Sequence, residues 1–333
     1  MRQWLWFLLG MLLLVLLSVI LALYVGELKF TLRDLWSLIL NGAEENNISH
    51  QLILKIRLPR IVLGMAVGGS LSLAGVILQG IYRNPLVEPY TLGISGGASI
   101  GVAGVIVLGL HLTLGSFMLP LFGFLGSLLI IFLVYTLNSG KGQIDMNNML
   151  LTGVMISFIA SSGMMLMMAL TSTENLHGII FWIMGSLDES NDFLIKLVVI
   201  SSLSILILTY LFVQPLNALR LGEEKAQHLG INTQSSIRIL FILASLLAGI
   251  CVSVAGVIGF VGLIIPHLLR LIIGSDYRLL LFGSYMAGGA FVVLSDVIAR
   301  TIISPNELPI GVITGIVGGV VFIFLMSKKS KAF

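Results

Sequence analysis

In a chain of 333 residues, 57% hydrophobic, only 10% charged and of mean hydropathy +1.08, there is more apolar surface than a soluble domain of that length could bury. A formal net charge of +3, spread over connecting segments, leaves no basic stripe for nucleic acid, and a single cysteine, Cys251, excludes an intrachain disulfide. The composition is that of a polytopic all-α membrane protein, and 37 glycines with 8 prolines suit close-packed or interrupted membrane helices.

About 20 apolar residues cross a bilayer core. On that measure the expected spans are 4–25, 61–82, 89–110, 117–137, 146–170, 193–213, 239–255, 256–273, 279–299 and 308–326. The first is too long for a signal-peptide core and lacks a small-x-small cleavage pattern, so it is read as a retained helix. The run 239–273 would extend about 50 Å as one helix, too far for one crossing. Gly256, Gly259, Gly262 and Pro266 supply a break, which gives two spans, the second short and irregular. Lys196 in span six can snorkel to an interface. Ten spans in one transmembrane domain, 1–333, put both termini on the same side.

With the termini in the cytoplasm, 11 Lys and Arg residues lie inside, Lys141 and Lys331 among them, against 7 outside. The outer set is Lys29, Arg33, Lys55, Arg57, Arg60, Lys196 and Arg300. The bias gives a cytoplasmic-membrane orientation, but the cluster Lys55, Arg57 and Arg60 sits where the rule disfavours it.

An internal repeat appears at an offset of 181: Gly68, Ser72, Ala74, Gly75, Val76, Ile77 and Pro85 recur as Gly249, Ser253, Ala255, Gly256, Val257, Ile258 and Pro266. Arg57 recurs as Arg238. An odd number of spans separates the copies, so spans 2–5 and 7–10 form inverted halves, a transporter arrangement with the substrate route at their interface.

Several motifs carry two readings. Gly64-x-x-x-Gly68, Gly93-x-x-x-Gly97-x-x-x-Gly101 and Gly311-x-x-x-Gly315-x-x-x-Gly319 lay small-residue stripes on spans two, three and ten, for packing inside the subunit, a subunit interface or a smooth pathway wall. Span five holds Ser157, Ser161 and Ser162, then Met164, Met165, Met167 and Met168, which fill gaps, meet lipid or form an adaptable wall. Gly93-Ile94-Ser95-Gly96-Gly97 matches G-x-S-x-G, with His111 or His267 as a base, but a nucleophile elbow needs a strand-to-helix turn and this one lies in an apolar helix. The histidines lack metal-ligand spacing. Asp296, the only carboxylate well inside an expected span, has Arg300 as its helical partner four residues on. That pairing argues against a proton-coupled transporter. No phosphate loop is present: Gly140-Lys141 is followed by Gly142 where Ser or Thr is needed. If ATP drives this protein, another chain binds it.

Between spans six and seven, Gln214–Ile231 is a helix-prone polar stretch. Pro215, Gly222 and Gly230 bound two short helices with a bend. Leu219, Leu221, Ala226, Leu229 and Ile231 give it apolar knobs that lipid is badly placed to cover. It is either a solvated connector or a lever for a soluble partner.

Arg57-Leu58-Pro59-Arg60, the run 68–99 (GGSLSLAGVILQGIYRNPLVEPYTLGISGGAS), 259–270 (GFVGLIIPHLLR) and 307–315 (ELPIGVITG) resemble the FecCD family of ABC-importer permeases, in register from about residue 55 to 326. The resemblance implies a ten-span subunit that pairs with a second permease subunit, binds two cytoplasmic ATPases carrying ATP and Mg, and receives cargo from an external substrate-binding protein. No cofactor is expected in this chain itself. By resemblance, 214–231 is the coupling segment, with Asn217, Ala218, Leu219, Arg220, Leu221, Gly222, Glu223, Glu224, Ala226, Leu229 and Gly230 at the ATPase. Arg57, Arg60 and Arg300 resemble arginines that grip glutamates of the binding protein, which gives the anomalous outer charge a reason. The family places the inner gate at Met146, Asn147 and Asn148, with span five lining the route through Ser157, Ser161, Met164, Met165 and Met168. Where the family usually has G-x-P-x-F, this chain has Gly318-Gly319-Val320-Val321-Phe322, which implies a straighter helix near the inner mouth. The expected cargo is a bulky iron chelate, an iron(III)-siderophore ahead of haem, cobalamin or an oxyanion; the alternative is an ion-coupled secondary transporter.

Overall fold

The computed structural model describes residues 2–26, 48–140, 143–144 and 146–329. Lys29, Arg33, Lys141 and Lys331, used in the charge count, lie outside the described residues. In chain order the helices are α1 (Arg2–Tyr24), α2 (Leu58–Ile81), α3 (Ile94–Val107), α4 (Met118–Asn138), α5 (Met146–Leu170), α6 (Thr173–Ile183) and α7 (Asp192–Tyr210). They continue as α8 (Val213–Leu219), α9 (Glu223–His228), α10 (Thr233–Ala255), α11 (Val261–Ile273), α12 (Tyr277–Thr301) and α13 (Ile310–Lys329). Ser139–Gly140 and Gln143–Ile144 pair as two short antiparallel strands between α4 and α5. Among the described residues, seven helices are long and apolar enough to cross a membrane, and three shorter apolar ones coincide with expected spans three, eight and ten.

Span two starts earlier than hydropathy suggests. A helical turn at Ile48–Leu52 and a π-turn at Ile53–Arg57 lead without interruption into α2, giving an apolar stretch of 32 residues from His50. Pro59 accounts for the wide turn: it has no N–H for the carbonyl one turn back, and the backbone loosens there instead of ending.

Helix α2 is the centre of the bundle. Its Leu63, Leu71, Leu73, Ile77 and Leu78 are buried with Leu240, Phe241 and Leu247 of α10 and Leu280, Leu281 and Val292 of α12. Glycine sets the separations. A Cβ on Gly68 would collide with Gly288 O of α12, and one on Gly75 with Gly262 O of α11. Inside a membrane such close backbone approach supplies the van der Waals contact that association relies on. The stripe on α3 is used likewise: Gly97 and Gly101 abut backbone of α4 at Gly126 and Phe122. The stripe on α13 is not. Gly311 meets the Met184 and Val257 carbonyls, but a Cβ on Gly315 would meet nothing.

The break in 239–273 falls at 256–260, not at all four expected positions. Gly256 (φ 69°) ends α10 and Gly259 lies in the non-helical stretch, whereas Gly262 and Pro266 are inside α11. Polar backbone exposed by a break must find partners where no water reaches. Ser186 N–H donates to Ala255 O (2.9 Å). The Tyr90 hydroxyl donates to Ile258 O (3.1 Å) and accepts from Ile258 N (3.2 Å). The Glu88 carboxylate accepts from Phe260 N–H. Pro266 cannot donate to Gly262 O, so Gln79 Nε2 of α2 donates to it instead, at 2.9 Å.

Helix α6 was not among the expected elements. Ser172 caps it by accepting from Asn175 N, and Glu174 lies in its first turn, a start signal visible in the sequence but hidden by the short length of the segment.

Candidate functional site

Three regions hold the residues singled out by sequence. The first lies where α2, α12 and the end of α1 meet. Arg60 Nε and Nη2 both reach Asp296 Oδ1 at 2.9 Å, and Nη2 also reaches Glu307 Oε2 at 2.8 Å. Arg300 Nε lies 3.0 Å from Asp296 Oδ2, the helical pair expected from their spacing. Arg57 donates to Leu23 O, and Arg300 Nη2 to Ala22 O at 3.3 Å. Those carbonyls belong to the last turn of α1, which has no intrahelical donors left and favours cations. All three arginines are therefore turned inward: Arg57 is 7% exposed, Arg300 9%, and the Arg60 side chain 11%. Glu307 is half exposed, and Lys55 is exposed. The sequence identified the arginines but not Glu307, which shares no helix with them.

The second region is the bent segment. α8 and α9 form the expected two short helices, hinged at Gly222 (φ 111°). Gly230 (φ 82°) closes α9, with Gly230 N bonded to Gln227 O (2.8 Å) and Ile231 N to Ala226 O (3.1 Å), a glycine-capped helix end. Its apolar residues divide. Leu219 and Ala226 are buried as anchors with Val213, Leu216 and Ala218, while Leu221 (59% exposed) and Leu229 (63%) face outward. Asn217 Nδ2 donates to Asp276 Oδ1 (3.1 Å) and Arg220 Nη1 to Ser275 O (2.7 Å), which fasten the segment to the start of α12. Glu223 accepts from Gln234 of α10 (3.4 Å), and Glu224 and Gly222 are partly buried or exposed at the bend.

The third is α5. Met146 is partly buried and Asn147 and Asn148 are exposed at its start. The methionines do not act as one group: Met164 is buried with Val102, Ala103, Ile106 and Ile179, Met167 and Met168 pack against that cluster, and Met165 is 66% exposed. Ser157 Oγ donates back to Gly153 O (2.9 Å), and Ser161 is exposed. Ser95 sits in the first turn of α3, entered from the 3₁₀ turn Pro89–Leu92 and not from a strand, and the His111 ring is engaged with Val105 O. Among the described residues no group of three or more His, Cys, Asp or Glu is placed to hold a metal ion.

A bundle of apolar helices, one interrupted in its middle, is the architecture of a multi-pass membrane transport protein. The chain belongs to the FecCD transport family, whose model matches residues 13–328. It is 37% identical over 325 residues to the hemin transport system permease protein HmuU of Yersinia pestis, covering 96% of this chain and 95% of that one. It is also 37% identical over 276 residues to the cobalamin import system permease protein BtuC of Halobacterium salinarum, covering 82% and 73%. A solved structure, an inward-facing ABC transporter assigned to the metal-chelate type, superposes with a TM-score of 0.84 at 29% identity over 98% of this chain and 99% of that one.

Proposed function

We propose that this chain is one of two identical or similar permease subunits of a binding-protein-dependent ABC importer that moves a bulky iron chelate, an iron(III)-siderophore, into the cell. The observation that carries the reading is the family match along nearly the whole chain. Relatives named for hemin and cobalamin support a large metal chelate as the class of cargo. In this reading the chain crosses the cytoplasmic membrane ten times with both termini inside, and ATP with Mg is bound by two separate ATPase subunits. Leu221 and Leu229, outward on a segment held by buried Leu219 and Ala226, suit a lever resting on the ATPase. The exposed faces of α5 and the open stripe of α13 suit the second subunit and the route between the two. Cargo arrives on an external protein that docks at the end of the bundle holding Arg57, Arg60 and Arg300, whose inward-turned side chains must exchange internal partners for it, and alternating access around a weakly binding cavity delivers it.

The test is reconstitution with the cognate ATPase and binding protein. ATP-dependent uptake of iron(III)-siderophore is expected, with hemin and cobalamin as competing cargoes. Uptake by the permease alone on an ion gradient would overturn the importer reading. Leu221→Asp is expected to leave folding unchanged and to separate ATP hydrolysis from uptake; preserved coupling would remove the lever.

A further inference from the structure

At the end of the bundle that carries α8 and α9 there is a cavity of about 260 Å³ whose lining includes Arg83, Arg220 and Arg270, together with Gln79, Ser275 and Tyr277. The three guanidinium groups come from three different places: the turn after α2, the bend between α8 and α9, and the last turn of α11. Among the described residues none of them makes an ion pair; the ion pairs found belong to Arg60 and Arg300. Arg220 donates to Ser275 O at 2.7 Å, and Arg270 donates to Gln79 Oε1 and is bonded to the Tyr277 hydroxyl. Arg83 and Arg220 are exposed, and Arg83 reaches to within 3.5 Å of where a Cβ on Gly222 would lie. Asp276, outside the cavity lining, accepts from Asn217 and caps α12, and Glu223, also outside it, accepts from Gln234. Among the described residues no acidic side chain lines the cavity.

Three helix C-termini, those of α2, α8 and α11, end beside these arginines and offset part of their charge. Each amounts to about half a negative charge at most. They do not cancel the three guanidinium charges, and the surplus suits an oxyanion such as a phosphate monoester. Forked guanidinium donors converging from several directions match an oxyanion with several acceptor oxygens better than a single carboxylate.

We propose that this cavity binds a phosphate-type oxyanion, presented either as a phospholipid headgroup or as free phosphate. The occupant ties the α8–α9 bend to α2 and α11 through Arg220, Arg83 and Arg270. The site rests on the geometry of this chain; because the importer reading places Arg220 at the ATPase, the test is made on the permease alone.

The full chain, in phosphatidylcholine nanodiscs, is titrated with inorganic phosphate against sodium chloride of equal ionic strength, and separately rebuilt with phosphatidic acid in the bilayer. The expected result is a rise in Tm of a few degrees with one or both phosphate sources beyond that of chloride. Arg83→Gln, on an exposed side chain, is expected to weaken the half-saturation point about tenfold or more, and Arg220→Gln likewise. Arg238→Gln, on the same end of the bundle but outside the cavity, is the unchanged control. A shift with inorganic phosphate alone identifies the free ion, and one with phosphatidic acid alone identifies the headgroup. No shift with either source, or a shift that persists undiminished in Arg83→Gln and Arg220→Gln, overturns the proposal.

Discussion

The tetrapeptide Ala-Gly-Val-Ile occurs twice, at 74–77 and at 255–258, and takes two different backbones. In α2 it is continuous helix, wholly buried; at the end of α10 the helix stops at Ala255 and the next residues are non-helical. Identical local sequence cannot be the cause. Downstream, Leu78-Gln79-Gly80-Ile81 continues the first helix, while Gly259-Phe260 follows the second copy. More decisive are the partners. The groups freed at 255–258 are held by Ser186 and Tyr90, and Phe260 N–H by Glu88, whereas among the described residues no such partner is found for 74–77. Inside a membrane the cost of an unpaired peptide group is high enough for such partners to decide where a helix can break.

The comparison can be broken most severely at its closest contact. Gly75→Leu drives a side chain into the Gly262 backbone, which cannot give way without moving α11; a loss of more than about 4 kcal/mol is expected, seen as failure to recover monodisperse protein. Asp296→Asn tests the other end of α2. It leaves Arg60 and Arg300 buried without their shared anion, with an expected cost of about 3–5 kcal/mol in thermal unfolding. Gln79→Leu sharpens the comparison directly, since it removes the donor that replaces the Pro266 N–H. About 1–3 kcal/mol should be lost, and adding Pro266→Ala should restore part of it by returning a helical donor to Gly262 O. Simple additivity of the two changes would show that Gln79 does not stand in for the proline.

The smallest effect is one of pH. Burial pushes the Glu88 carboxyl, in the connection between α2 and α3, up to about 7 from its ordinary 4.5. The folded protein therefore holds this proton over a range where the unfolded chain has released it. Its contribution to stability is complete below about pH 4.5 and is lost as pH rises to about 7, and Glu88→Gln should flatten that part of the unfolding profile. A profile identical to wild type would remove Glu88 from the clasp.

Much of the candidate site was legible because it depends on local chemistry. Asp296 and Arg300 are four apart on one helix, and their pairing needed only the helical repeat. Gly222 and Gly230 announced the ends of α8 and α9 because positive φ favours glycine. Arg60 with Glu307, or Arg83 with Arg220 and Arg270, could not be read this way, since each set joins residues far apart in the chain. The division of 219–229 into buried anchors and outward knobs was equally hidden, because it depends on where α2, α10 and α12 lie.

The sequence by itself determined a helical membrane protein, most of its apolar helices and the family, because apolar length, glycine spacing and motif order are properties of the chain read in line. Only the tertiary structure decided which copy of Ala-Gly-Val-Ile breaks, that Arg57 and Arg300 cap α1 while Arg60 and Arg300 share Asp296, and that Arg83, Arg220 and Arg270 surround a cavity lined by no acid among the described residues. Those outcomes depend on which distant groups supply or withhold a hydrogen bond or a charge in a medium that supplies neither.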